Sequence, residues 1–135
     1  DILMAKGDPI FERDNLATRT TCLMQGGLRY DLEAESQSPE TTRFQVSMGE
    51  KCQWICEATL WVSWVHLGSM TASTEVDVLC VDAASFGVIA VSHPEVSTKV
   101  VKYAREFVQR LNKDIFTSSG TLTTRSEFAQ HYDLS

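Results

Sequence analysis

Gly49–Thr74, GEKCQWICEATLWVSWVHLGSMTAST, is the stretch around which the rest of the chain is organised. It holds Trp54, Trp61 and Trp64, which are all the tryptophans, together with Cys52, Cys56 and His66. Within the apolar run from Trp54 to Trp64 the one acid is Glu57. A carboxylate among small and aromatic residues costs free energy unless something pairs with it, so Glu57 is either a ligand contact or a structurally satisfied acid. The tryptophans read as core or lid anchors, or as a surface on which a base stacks.

Upstream of this stretch the pattern is that of short strands. Asp1–Ala5 is apolar and stops at Lys6-Gly7-Asp8-Pro9, a turn in which glycine permits positive φ and proline fixes its own. A polar connection without clear period covers Ile10–Thr18. Arg19–Met24 and Leu28–Glu33 flank Gln25-Gly26-Gly27, and Leu28, Tyr30 and Leu32 alternate with charged residues, which predicts a hairpin closed by the glycines. Ala34–Thr41 reads as a solvated loop. Arg43–Met48 alternates again, with Phe44, Val46 and Met48 inward.

Downstream, Ser69–Ser73 and Val76–Val81 read as a second strand pair. Asp82 offers an N-cap for a helix over Ala83–Val91. Ser92-His93-Pro94-Glu95 has capping-box spacing and opens a helix to Leu111. There Val96, Val100, Tyr103, Ala104, Phe107, Val108 and Leu111 recur at three and four, so one apolar stripe must pack on something. A Ser/Thr/Gly break at Thr117–Thr121 is followed by a short helix from Thr124. The expected fold is α+β: a β-roll of about seven short strands, closed by C-terminal helices.

Composition narrows the function. The 135 residues carry a formal net charge of −6, which opposes a nucleic-acid partner because phosphate binding relies on clustered Lys and Arg. No run is long enough to span a membrane, so no direct membrane insertion is expected. Cys22 and Cys80 lie in apolar runs where cysteine acts as a small core residue. Cys52, Cys56 and His66 lack the spacing and the fourth ligand of a zinc site, so no metal is expected. The cysteines allow disulfides without suggesting them, and the absence of an Asn-x-Ser/Thr acceptor fits a reducing, intracellular compartment. The chain begins at Asp1 inside a strand pattern, as a portion of a longer protein would. No nucleophile elbow, Walker loop, dinucleotide-binding glycine pattern or His-Glu-x-x-His helix is present, so no enzyme is expected.

The order of motifs resembles a known family. Asp1-Ile-Leu-Met-Ala-Lys-Gly-Asp-Pro, Cys22-Leu-Met-Gln-Gly-Gly-Leu-Arg-Tyr, Gly49-Glu, Cys56-Glu-Ala-Thr-Leu-Trp, Gly68-Ser-Met-Thr-Ala, Val78-Leu-Cys-Val-Asp and Phe86 together resemble a cyclic-nucleotide-binding domain over residues 1–112, with 113–135 a C-terminal tail. The resemblance implies an eight-stranded, jelly-roll-like β-roll with a phosphate-binding cassette between strands 6 and 7 and a C-terminal helix as lid. The Trp-rich cassette and VVKYAREFVQRLN look more like the ion-channel branch. By this resemblance Glu57 is the ribose-binding glutamate, Ala58 its neighbour, Gly49 the glycine entering the cassette, and Gly26 or Gly27 that of the second hairpin.

The departures from the family are as informative. Cys56 stands where the family has glycine, and His66 where it has the arginine that forks onto the cyclic phosphate. No Arg or Lys lies between Lys51 and Lys99. His66 thus reads as a weak ligand contact or as a surface or turn histidine. The resemblance implies a regulatory or sensor module in which cAMP or cGMP binds weakly or not at all, no cofactor being required. The alternative is an interaction or assembly module inside a larger complex or channel. If no nucleotide fills the pocket, the chain's own tail, with Phe116, Leu122, Phe128 and Tyr132 to bury, is the expected occupant.

Overall fold

The computed structural model describes residues 1–32, 42–47, 52–119 and 125–135, with side chains at 42, 116–119 and 125–127 left out. Met48, Gly49 and the loop at 34–41 lie outside the described residues. The strands are β1 (Ile2–Met4), β2 (Pro9–Phe11), β3 (Arg19–Gln25), β4 (Gly27–Leu32), β5 (Thr42–Ser47), β6 (Gln53–Ile55), β7 (Ser69–Ala72) and β8 (Val76–Asp82). A 3-10 turn at Glu57–Leu60 follows β6, and the helices α1 (Ala83–Ser92), α2 (Pro94–Ser119) and α3 (Arg125–Tyr132) complete the chain.

Two four-stranded antiparallel sheets, ordered β1-β8-β3-β6 and β2-β7-β4-β5, face one another. Alternation puts Leu23, Ile55, Val76 and Val78 of the first against Leu28, Tyr30, Leu32, Val46, Met70 and Ala72 of the second, and all are buried in one cluster. This is the expected α+β roll of eight strands with C-terminal helices.

The expected hairpin and the second expected strand pair are corners instead. β3 pairs with β8 and β6, whereas β4 pairs with β5 and β7. The glycine turn therefore carries the chain from one sheet to the other, and the link from β7 to β8 carries it back. Alternation marks which face of a strand is buried, and both faces of a sandwich look alike by that measure. The corners lock together: Ser73 N–H donates to the Gly27 carbonyl at 3.0 Å and Gly27 N–H to Thr74 Oγ1 at 3.0 Å. Gly26 adopts φ +97°, which a side chain would strain.

The polar connection hides β2, whose Phe11 becomes part of the site below. Asp82 caps α1 as expected, accepting from both the N–H and the hydroxyl of Ser85, which holds its carboxyl below the ordinary value. Ser92, however, bonds back to the Ile89 carbonyl at 2.8 Å and closes α1 rather than boxing α2. Helix α2 starts on Pro94, which is preorganised for a first helical position, and continues past Leu111 to Ser119. Phe107 and Leu111 of its stripe are buried. Among the described residues no helix is long and apolar enough to cross a membrane.

Cys22 is bonded to Cys52, with Cα atoms 6.0 Å apart, where the sequence did not suggest a disulfide. The β3–β6 register sets Cys22 opposite Trp54, which brings Cys52 alongside; that register is invisible in linear spacing.

Gly68 is held against β4. A Cβ there would lie 2.6 Å from the Asp31 carbonyl oxygen and 2.7 Å from the Tyr30 hydroxyl oxygen. Gly68→Ala is therefore expected to destabilise the fold by about 1–3 kcal/mol, read as a lowered urea midpoint at unchanged slope.

Candidate functional site: a buried carboxylate under the cassette

The cassette is built on backbone geometry. Cys56, after β6, takes φ +61° and ψ +53°, the left-handed conformation that glycine adopts freely and that costs other residues about 1–2 kcal/mol. The chain thereby turns into Glu57–Leu60, where Ala58 is fully buried and its carbonyl accepts from the N–H groups of Trp61 and Val62. Thr59 Oγ1 donates to the Ala17 carbonyl at 3.0 Å and Thr20 Oγ1 to the Ile55 carbonyl at 2.9 Å, which tie the turn to β3 and its approach.

Residues 64–66 then run antiparallel beside 15–17. Ala17 N–H donates to the Trp64 carbonyl at 2.7 Å and His66 N–H to the Asn15 carbonyl at 3.0 Å. That bridge directs His66 inward, so it is no surface or turn histidine: it is 4% exposed. Its ring stacks on Phe11 with centroids 3.7 Å apart and planes 6° from parallel.

The partner of His66 comes from the far end of the chain. Asp133, just after α3, is fully buried and accepts five hydrogen bonds. Trp64 Nε1 at 3.0 Å and His66 Nδ1 at 2.8 Å donate to Oδ1. The Tyr30 hydroxyl at 2.6 Å and the N–H groups of Leu67 at 3.0 Å and Gly68 at 3.2 Å donate to Oδ2. Around this centre Phe128 and Tyr132 pack on Trp64, and Tyr132 meets Phe107 of α2 edge-on. The Tyr132 hydroxyl donates to Asp114, joining α3 to α2. The tail's last residue reaches the cassette, where Glu57 N–H donates to the Ser135 carbonyl at 3.3 Å.

Glu57 is satisfied from within. Its Oε1 accepts from Trp61 Nε1 at 3.0 Å and from the Tyr103 hydroxyl of α2 at 2.9 Å, and that bond holds Tyr103 above the ordinary tyrosine value. Trp61 packs on Phe86, Tyr103 and Phe107, so it anchors both helices, while Trp54 is 43% exposed. A cleft of about 430 Å³ opens beside this latch, lined by Thr20, Trp54, Glu57, Leu60, Val81 and Phe86. Of the residues singled out in the sequence, Glu57 and His66 face different environments: Glu57 the helices and cleft, His66 the buried tail. The position of Gly49 lies outside the described residues.

Cys56, His66 and Asp133 also bring a thiol, an imidazole and a carboxylate within 4.8 Å of one another. The hydrogen bonds already on Asp133 occupy both of its oxygens, and burial, followed by the charge of Asp133, pushes the Cys56 thiol up to about 12 against the opposing Thr59 N–H bond. A neutral thiol beside a saturated carboxylate is a hydrogen-bonding cluster rather than a ready ligand set. Sequence reasoning missed Asp133, Tyr30 and Phe11. Asp133 carried little signal beyond its place between Tyr132 and Leu134.

Removing the carboxylate strands five buried donors, so Asp133→Ala is expected to cost about 3–5 kcal/mol in urea unfolding, and Asp133→Asn less. The thiol supplies a second prediction. It titrates near 9 when unfolded and near 12 when folded, so its stabilising effect is complete below pH 9 and is lost as pH rises toward 12. Tyr132, raised by burial and by Asp114, acts with the same sign. The melting temperature should fall progressively above pH 9, and Cys56→Ala should remove the earliest part of that fall.

No family model matches the sequence, and no curated protein matches it. Solved structures do. The N-terminal domain of a transcriptional regulator from Streptomyces coelicolor A3(2) superposes at TM-score 0.66 and 18% identity, covering 84% of this chain and 76% of that chain. A cyclic nucleotide-binding-like protein from Brucella abortus gives TM-score 0.55 and 17% identity over 65% of this chain and 72% of its own. The EAL enzyme Bd1971, in a halfsite-occupied form, gives 0.63 and 13% over 82% and 96%. The paired sheets, the cassette turn between β6 and β7 and the helices that close the roll are the fold of cyclic-nucleotide-binding domains.

Proposed function

We propose that this domain is a regulatory or sensor module of the cyclic-nucleotide-binding kind in which nucleotide binding is weakened or lost because its own tail takes up the donors around His66, while the cleft beside Glu57 stays open. One observation carries the reading: His66, which the resemblance sets at the phosphate-binding arginine, is bonded to the Asp133 carboxylate. An incoming cyclic phosphate would have to displace a buried, five-fold hydrogen-bonded anion and would gain no guanidinium in return. Glu57, which the resemblance sets at the ribose-binding glutamate, is engaged by Tyr103 of α2, the helix that the resemblance makes a lid. The regulator and the cyclic nucleotide-binding-like protein among the structural neighbours support the regulatory reading, and one neighbour is an enzyme.

We place the module inside the cell within a larger assembly, of which an ion channel is one form. The Cys22–Cys52 bond, rare in a reducing compartment, opposes the intracellular part of that placement. The second reading, an interaction or assembly module, draws on α1, where Val88, Ile89 and Val91 are 71%, 60% and 77% exposed.

Calorimetric titration with cAMP and cGMP tests the first reading. The unaltered chain should bind neither at about 10 μM. His66→Arg alone should change little, because Asp133 would take the new guanidinium. His66→Arg combined with Asp133→Ala should bind at least about tenfold more tightly than Asp133→Ala alone, the effect of one charged hydrogen-bonding contact. Submicromolar binding by the unaltered chain would overturn the proposal.

A further inference from the structure

The groups that surround Asp133 form a receptor for one kind of anion. Each carboxylate oxygen has its own donors: Trp64 Nε1 and His66 Nδ1 on Oδ1, and the Tyr30 hydroxyl with the consecutive N–H groups of Leu67 and Gly68 on Oδ2. No lysine or arginine is among them. All come from the roll: Tyr30 from β4, the others from the segment entering β7. The acceptor comes from the tail, 65 to 103 residues away in sequence. Main-chain bridges to residues 14–17 and the Phe11 stack hold that segment without help from Asp133. The donors are therefore preorganised by contacts other than the anion they bind.

We infer that the roll carries a binding site for a free carboxylate group, which the Asp133 side chain fills in this chain and which a small carboxylic acid or a carboxylate-bearing ligand can occupy when that side chain is withdrawn. The inference deepens the proposed function and rests on it only in taking the tail as occupant of the donors around His66. Two oxygens are matched by the donors, and a third, as in a phosphate, finds none among them. The Cys56 thiol, kept neutral by its burial, lies against the same anion and offers no positive charge. Carboxylate is favoured over phosphate because its two oxygens match the donors. Regulation at this site then takes the form of exchange between an internal and an external carboxylate, with α3 and its contacts to α2 following the internal one.

Replacement of the side chain by its soluble equivalent is the test. In the full chain, Asp133→Gly deletes the CH₂–COO⁻ group that acetate restores, and Asp133→Ala leaves a vacancy that formate fits. Melting temperatures are measured in acetate or formate against chloride and inorganic phosphate at equal ionic strength. At ten times its dissociation constant the matching carboxylate should raise the variant's melting temperature by about 5 °C and leave the unaltered chain unmoved. If the glycine variant does not fold in chloride, recovery of its far-ultraviolet circular dichroism on titration with acetate serves as the readout. Equal effects of acetate and chloride in both variants, equal stabilisation of the unaltered chain, or a larger effect of phosphate would each overturn the inference. Nucleotide binding by the unaltered chain would instead strike the proposed function, so the two failures are distinguishable.

Discussion

The buried carboxylate of Asp133 joins the C-terminal tail to the roll. It stands beyond the last helix, and its hydrogen-bond donors lie on β4 and in the segment leading into β7. An anion removed from water is tolerated only when its lone pairs are satisfied, and here two backbone N–H groups, a phenol, an indole and an imidazole satisfy them. The same contacts fix the tail, because a departing carboxylate strands the donors unless another takes its place. Phe128 and Tyr132 supply the apolar surface around it, so the polar centre and the hydrophobic packing favour the same placement.

The second acid works differently. Glu57 is partly exposed and bridges the cassette turn to α2 through Tyr103, with Trp61 holding its other contact. Asp133 is sealed and Glu57 is near water, so the hydrogen bonds on Asp133 contribute more than the bond between Glu57 and Tyr103. The cleft beside Glu57 keeps that latch open to solvent, and Trp54 lies at its rim.

Backbone strain and covalent bonding add to the arrangement. Cys56 holds a left-handed conformation where glycine would rest at lower cost, and its thiol becomes part of the Asp133 surroundings. Cys22 and Cys52 join β3 to the approach to β6, just ahead of the cassette. The cysteines of the central stretch therefore have separate roles, one covalent and one in the buried cluster.

Much of the roll could be read from local pattern. The alternation at Leu28, Tyr30 and Leu32, the cap at Asp82 and the stripe through Phe107 and Leu111 depend on residues a few positions apart, and burial of one face or one stripe decides them. The order of motifs also pointed to the fold. Sheet membership was not legible, because a strand's inward face looks the same whichever sheet it joins; β3 and β4 were separated by pairing with β8 and β7, far along the chain. The site was legible only in halves. Glu57 and His66 announced themselves, whereas Asp133, Tyr30 and Phe11 acquire meaning only when the fold brings them against His66. Local sequence determines which faces are apolar and where helices start, and long-range pairing determines which polar group meets which, since a buried hydrogen bond depends on distance in space and not in sequence.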